Sequence, residues 1–312
     1  MNTTNILPPQ PDNIPDANRI IVIGDIHGDV ERLLKMVKSI GLFSNDLKWI
    51  AEPKDTIVIQ LGDQIDSLSR RLDGQDGSWE RYPDVEVLEL MDRLDLIARQ
   101  SSDGKGRVLS LLGNHEIMNT QHIFNYVSEN SMSKLGGEAM RALLFTPGHQ
   151  FAQILSRRNI VVKIGPFLFC HGGLLPQHLE CVHNNFETIN KCMQKYLRGG
   201  EPLSMEEMYV INEVIFQGEF GIVWLRKYVD LAQEQPEILE TLLDNVFART
   251  NAMVLFVGHN TMDSVKRAAN GKLYFTDAGF SRAYSIHDDY VEVVEIIKRE
   301  STYNVETLRV FI

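Results

Sequence analysis

Five short apolar runs, at 19–23, 56–61, 107–112, 166–170 and 253–257, each stop at a polar side chain able to ligate a metal, with glycine beside it. Their apolar character is nearly unbroken, which is how strands covered on both faces read. They give way in turn to Gly24-Asp25-Ile26-His27-Gly28, Gly62-Asp63-Gln64-Ile65-Asp66, Gly113-Asn114-His115-Glu116, His171-Gly172-Gly173 and Gly258-His259. Open sheets take their ligands outside the carboxyl ends of strands, so five such loops at one edge would converge on one point. Asp25 and His27 are two apart and share a side in an extended segment. Two carboxylates, one amide and three imidazoles, with no thiolate among them, suit Mn, Fe or Zn. A single ion ordinarily uses four protein positions, so six ligand groups fit two divalent ions with one carboxylate bridging. Taken singly, Asp-x-His is a solvated turn and Gly-Asn-His-Glu a capped helix start. Their joint occurrence in order, each at a strand end, is what points to a metal centre.

The surroundings suit a layered α/β or α+β fold. Helical periodicity is expected over 30–40, 85–100, 138–144 and 151–157, and 176–250 reads as mostly helical. The C-terminal part alternates, predicting strands over 272–276, 290–297 and 305–311, with loops at 70–83, 101–106 and 199–204. Pro8, Pro9, Pro11 and Pro15 mark residues 1–18 as an extended, mobile arm, and 19–312 as a single domain. With 42 acidic against 31 basic residues, the net charge of −11 argues against a protein that grips nucleic acid by its backbone. A phosphate substrate stays open, because bound metal supplies local positive charge. Cys170, Cys181 and Cys192 form no disulfide framework and are expected reduced and buried, with Cys170 facing away from the ligand point. No apolar run reaches the ~18 residues of a membrane span. The start lacks a basic segment before an apolar one, so a soluble, cytoplasmic chain is expected.

The five motifs together resemble the signature of calcineurin-like metallophosphoesterases, over about residues 19–283. Asp66 with His115-Glu116 and His171-Gly172-Gly173 resembles their phosphoprotein-phosphatase branch. The stretches 221–226 and 276–281, and Arg141 with Phe145, Pro147 and Gly148, are similar to the "Shewanella-like" phosphatases. Gly62-Asp63-Gln64-Ile65-Asp66-Ser67 is similar to metallophosphoesterases of large DNA viruses. The resemblance implies a sandwich of two mixed β-sheets flanked by helices, with a helical cap from about 119–158 and 176–250. It implies that Asp25, His27 and Asp63 hold one ion, and that Asp63 bridges to a second held by Asn114, His171 and His259. Hydroxide between the ions would attack phosphorus in line, and His115, oriented by Asp66, would serve as general acid. Glu116 reads as a loop support through a salt bridge.

The sequence departs from that pattern once. The family continues with Arg-Gly after the position of Asp66, and that arginine grips phosphate; here Ser67-Leu68 follow. A guanidinium fork is the natural partner of phosphate oxygens, so Arg226, or Arg70 or Arg71 reaching back, must take over beside Asn114, and Arg226 is favoured. The implied reaction is phosphomonoester hydrolysis, on protein phosphorylated at Ser/Thr or Tyr or on a small phosphomonoester, with no membrane or strong nucleic-acid partner. One rival is a nucleotide or dinucleoside-polyphosphate phosphohydrolase; the acid at Asp66 speaks for the protein-phosphatase branch instead. The other is a non-catalytic scaffold on the same fold, against which the full ligand set and His115 stand.

Overall fold

The computed structural model describes residues 8–70, 79–284 and 286–312. Among these, the strands are β1 (Asn13–Ile14), β2 (Arg19–Ile23), β3 (Ile57–Gln60), β4 (Arg107–Ser110), β5 (Val161–Ile164), β6 (Phe167–Cys170), β7 (Val254–Val257), β8 (Lys266–Ala268), β9 (Leu273–Phe275), β10 (Tyr290–Arg299) and β11 (Thr302–Phe311). They form two mixed sheets, ordered β11-β10-β2-β3-β4 and β1-β5-β6-β7-β9-β8. In the first, β2, β3 and β4 run parallel, Ile21 beside Val58 and Val58 beside Val108. In the second, β6, β7 and β9 run parallel, with Phe169 beside Phe256 and Phe256 beside Tyr274.

The unbroken apolar runs have a direct cause. Ile20, Val22, Ile57 and Ile59 face the other sheet, packing with Val162, Ile164, Phe167, Phe169 and Phe256. Their neighbours Ile21, Ile23 and Val58 face outward onto α1 (Val30–Ser39) and α2 (Glu86–Ser101) through Leu33, Met36, Met91 and Leu94. Asp29 caps α1, its Oδ1 accepting the N–H of Arg32 at 3.1 Å. Both faces of the second sheet are covered likewise. Its outer face, with Val161, Leu168, Leu255 and Leu273, packs on a helical layer. That layer holds α3 (Asn114–Thr120), α4 (Glu129–Lys134), α5 (Glu138–Phe145), α6 (Gln150–Leu155), α7 (Pro176–Glu180), α8 (Phe186–Arg198), α9 (Met205–Tyr209), a π-turn at Val210–Ile215, α10 (Lys227–Glu234) and α11 (Pro236–Thr250). The segments expected as a cap are therefore helical, and they contribute to this layer through residues such as Phe145, Phe151, Ile189 and Leu243.

Three sequence readings change. The described part of the N-terminal arm is docked: β1 pairs with β5, Gln10 donates its N–H to Arg157 O at 2.8 Å and Lys163 donates to Asp12 O at 2.8 Å. The proline-rich stretch is extended, but an edge strand can be so, because its outer side needs no partner. Strands β5 and β8 were not anticipated; Val161-Val162-Lys163-Ile164 is short and merges with the run that follows it. Cys170 and Cys192 are buried, whereas Cys181 is exposed, and all three are free. No described helix is long and apolar enough to cross a membrane.

Phe169 stacks on Phe256 with ring centroids 5.2 Å apart, and Phe256 on Tyr274 at 4.8 Å, at the centre of the inter-sheet core. Phe169→Ala opens a cavity there and is expected to lower stability by about 3–5 kcal/mol, read from urea denaturation. A loss below about 1 kcal/mol would mean that the sheets close up over the gap.

Candidate metal centre

Three of the five motif loops leave their strand ends under a backbone constraint. His27, Asp63, Asp66 and His259 have φ of 43°, 51°, 69° and 65°, a left-handed region that side chains other than glycine seldom enter. Four such residues in one centre mark it as held by its surroundings. Glu116 on α3 supplies much of that hold. Its carboxylate accepts the N–H groups of Gly113 at 2.7 Å, Gln64 at 2.8 Å, Asp63 at 2.9 Å and Ile65 at 3.4 Å. It supports the loop, as expected, but through backbone donors and not through a salt bridge. Gly113 admits Asp63 closely: a Cβ there would stand 2.1 Å from Asp63 Oδ1. Gly258 does the same for Asp25, whose Oδ1 would meet its Cβ at 2.4 Å.

Asp63 lies at the middle. Ligand atoms of His27, Asp63 and His115 lie within 4.8 Å of one another, and so do those of Asp63, His171 and His259. Asp25 falls in neither group; its oxygens accept the N–H of His259 at 3.2 and 3.1 Å, and Oδ1 lies 4.0 Å from His171 Nδ1. Asn114 Oδ1 is 3.0 Å from His171 Nε2, and Asp63 Oδ2 is 3.1 Å from the same nitrogen. His115 thus lies among the ligand-type atoms beside Asp63 where the resemblance implied Asp25.

The histidine rings face their carbonyl partners in a pattern that suits metal. His27 Nδ1 lies 3.0 Å from Ile65 O, His171 Nδ1 2.7 Å from Leu61 O, and His259 Nε2 3.1 Å from Trp224 O. A carbonyl accepts only, so that nitrogen carries a proton, and when the ring is neutral, as a metal ligand must be, the other nitrogen presents a lone pair. With His171 in that form, its Nε2, Asn114 Oδ1 and Asp63 Oδ2 converge as three acceptors. Such a set fits a cation.

Electrostatics separate the members. Burial opposes charge on Asp63, but His171, His115 and His27 outweigh it and hold the carboxyl well below the usual range. Burial, with Asp277 and Asp63 nearby, pushes Asp25 well above it. Burial also pushes His27 and His259 well below the usual imidazole range, helped by Arg70 and His115 in one case and by His171 and Arg226 in the other. His115 goes the other way. Burial would lower it, but the charge of Asp63 and the bond to Asp66 raise it.

That bond belongs to a buried circuit which the sequence did not disclose. His115 Nδ1 donates to Asp66 Oδ2 at 2.7 Å. Asp66 Oδ1 accepts from Asn119 at 2.9 Å and from Arg141 Nη2 at 3.1 Å. Arg141 also grips Asp84 with both terminal nitrogens at 2.8 Å, and its Nε donates to Asn119 Oδ1 at 2.7 Å. Asp84 Oδ2 in turn accepts the N–H of Asp66 at 2.7 Å. Arg141 is fully buried. Its appearance in a motif signalled that it mattered; nothing in its spacing signalled Asp84 as partner.

The stretch 221–226 acts as a brace. Ile222 O accepts from Gly172 and Gly173 at 3.0 Å each, and Trp224 O fixes His259. Arg226 is exposed at the rim, donating to Asn260 Oδ1 at 3.2 Å and His259 O at 3.4 Å. Arg70 lies on the other side, its guanidinium 4.9 Å from the ring centres of both Tyr126 and Tyr284. Arg71 and most of the loop expected at 70–83 lie outside the described residues.

The model of the calcineurin-like phosphoesterase family matches residues 18–259. Shewanella-like protein phosphatase 2 of Arabidopsis thaliana is 25% identical, over 93% of this chain and 77% of that protein. An uncharacterised protein of Acanthamoeba polyphaga mimivirus is 30% identical over 65% of this chain and 93% of its own length. The fold is similar to the crystal structure of a cold-active protein-tyrosine phosphatase of a psychrophilic Shewanella species, with a TM-score of 0.73 at 20% identity, covering 98% of this chain and 85% of that one.

Burial opposes charge on Asp84 as well, yet Arg141 holds its carboxyl below the usual range. A depressed folded pKa contributes stability that is complete above about pH 4 and is lost as pH falls through the lower folded value. Arg141→Met strands two buried carboxylates and is expected to lower stability by about 3–5 kcal/mol at neutral pH. The deficit should shrink below about pH 4, where protonated carboxyls need no counter-charge. Denaturant titration of both proteins across pH checks this; a deficit independent of pH would assign the loss to packing alone.

Proposed function

The chain belongs to the calcineurin-like phosphoesterase family, hydrolases of phosphoester bonds, and on that premise we propose a two-metal phosphomonoesterase whose substrate is phosphorylated protein. The observation that carries the reading is the pairing of His115 with Asp66 beside a cluster of converging lone pairs. Asp25, His27 and Asp63 would hold one divalent ion and Asp63, Asn114, His171 and His259 the other; the convergence of His171, Asn114 and Asp63 supports the second of these. Mn, Fe and Zn all suit such nitrogen and oxygen donors. When bound, the ions supply charge to the phosphoryl oxygens and lower the pKa of the attacking water.

The protein's own part is proton delivery and orientation. Asp66 accepts from His115 Nδ1, which turns Nε2 toward the centre, 3.7 Å from Asp63 Oδ2. A proton on Nε2 is then available to the leaving oxygen. Arg141 and Asn119 fix Asp66, so the acid has one orientation before substrate arrives. Arg226 on the His259 side and Arg70 on the His27 side are the guanidinium groups proposed to meet phosphate oxygens. The protein-phosphatase names of relatives support phosphorylated protein as substrate.

Hydrolysis of 4-nitrophenyl phosphate with added Mn²⁺ is expected, and a chelator should abolish it. Comparable cleavage of bis(4-nitrophenyl) phosphate would redirect the assignment to diesters. His115→Asn should lower kcat by about 10²–10⁴-fold with metal content unchanged by elemental analysis. Parent-like kcat in that variant would remove His115 from the mechanism.

A further inference from the structure

Where the family pattern has an arginine directly after the position of Asp66, this chain has Ser67-Leu68, and its next guanidinium is Arg70. The backbone between them is stitched to two other segments. Leu68 donates its N–H to Tyr126 O at 3.0 Å, and Arg70 donates to Ala283 O at 2.7 Å. Those two bonds bring Tyr126 and Tyr284 to either side of Arg70, each ring centre 4.9 Å from its Cζ. The same rings reach the candidate centre. Tyr126 meets His115 edge-on at 5.0 Å, Tyr284 meets His27 at 5.1 Å, and His27 meets His115 at 4.9 Å. Five side chains thus close a ring, with Arg70 opposite the two histidines.

The guanidinium is incompletely satisfied. Nη1 makes two long bonds, of 3.4 Å each, to the carbonyls of Asp66 and Leu68. Nη2 is buried and has no hydrogen-bond partner among the described residues. An unmade bond at a buried charged donor is unfavourable, and stacking on aromatic faces satisfies the plane of a guanidinium but not its in-plane N–H groups. A donor held in that state fits an anion that arrives later.

We propose that Arg70 is the phosphate-binding fork of this site and that Tyr126 and Tyr284 are positioning residues that hold it toward His27 and His115. The inference rests on the phosphate reading above and names the groups that make it work in this chain. Neither tyrosine touches phosphate in this scheme; each contributes a ring face. Removing a ring lets Arg70 swing into solvent, whereas removing a hydroxyl does not.

The test is binding of inorganic phosphate to Mn²⁺-loaded protein by calorimetry, beside metal content and KM and kcat on 4-nitrophenyl phosphate. Arg70→Ala should weaken phosphate by about 30-fold or more. Tyr126→Leu and Tyr284→Leu should each weaken it about tenfold and raise KM more than they lower kcat, with two-ion content retained. Tyr126→Phe and Tyr284→Phe should restore the affinity to within about twofold, since the ring face remains. If Tyr284→Leu fails to fold, Tyr126→Leu at the rim, where Tyr126 is 40% exposed, carries the test alone. Unchanged phosphate affinity in Arg70→Ala overturns the fork. Phe variants as weak as the Leu variants overturn the positioning role. A parent that binds phosphate through Arg70 but hydrolyses nothing defeats the hydrolase reading and leaves the fork standing; an active parent whose phosphate affinity ignores Arg70 does the reverse.

Discussion

The candidate centre depends on one carboxylate that belongs to neither proposed ion. Glu116 accepts four backbone N–H groups, three from the loop after β3 and one from the loop after β4. These donors would otherwise be buried without partners, because the loops turn too sharply for strand or helix pairing. Each would then carry a penalty of about 1–3 kcal/mol. One side chain therefore ties two neighbouring strand ends together and lets Asp63 sit in a left-handed conformation. Asp63 Oδ1 completes the tie by accepting the N–H of His115 at 3.0 Å. Distances at the centre follow from that knot.

Charge is the second constraint. Asp25, Asp63, Glu116 and Asp277 are all at most 2% exposed, and burial pushes His27 and His259 toward the neutral form. Fully buried Arg141 is engaged with Asp66 and Asp84, and fully buried Arg158 with Gln64 and the carbonyl of Leu88. The carboxylate group around Asp63 is thus short of positive charge, and the upward push on Asp25 expresses that shortage. Divalent ions would relieve it, which is a physical reason, independent of any family likeness, for this chain to bind metal.

Much of this was legible in the sequence, for a particular reason. A strand covered on both faces is apolar throughout, so its end is sharply marked, and a polar residue there is conspicuous. That is why Asp25, Asp63, Asn114, His171 and His259 stand out in the sequence as candidates at strand ends. The missed parts lack such a contrast. Strand β1 is two residues among prolines, and β5 merges with β6 in one apolar stretch. Asp84, Tyr126 and Tyr284 lie on loops or helix approaches with ordinary neighbours, and only tertiary pairing gives them meaning. On the sequence, Arg226 is favoured over Arg70 from its place in the stretch 221–226. The buried Nη2 of Arg70, without a partner among the described residues, is a property of the folded chain that no pattern of residues announces.

One residue type is proposed for two opposed tasks here, and the environments of the rings differ accordingly. His27, His171 and His259 each give one nitrogen to a backbone carbonyl, which would leave the other nitrogen of the neutral ring for metal. His115 gives its nitrogen to a carboxylate. The negative charge of Asp66 stabilises the protonated ring, which a carbonyl dipole does far less. Arg141 and Asn119 both donate to the other oxygen of the fully buried Asp66. The proposed ligands and the proposed acid thus differ in what stands behind each ring. An arginine twenty-two residues beyond Asn119 in the chain thus holds the carboxylate to which His115 donates.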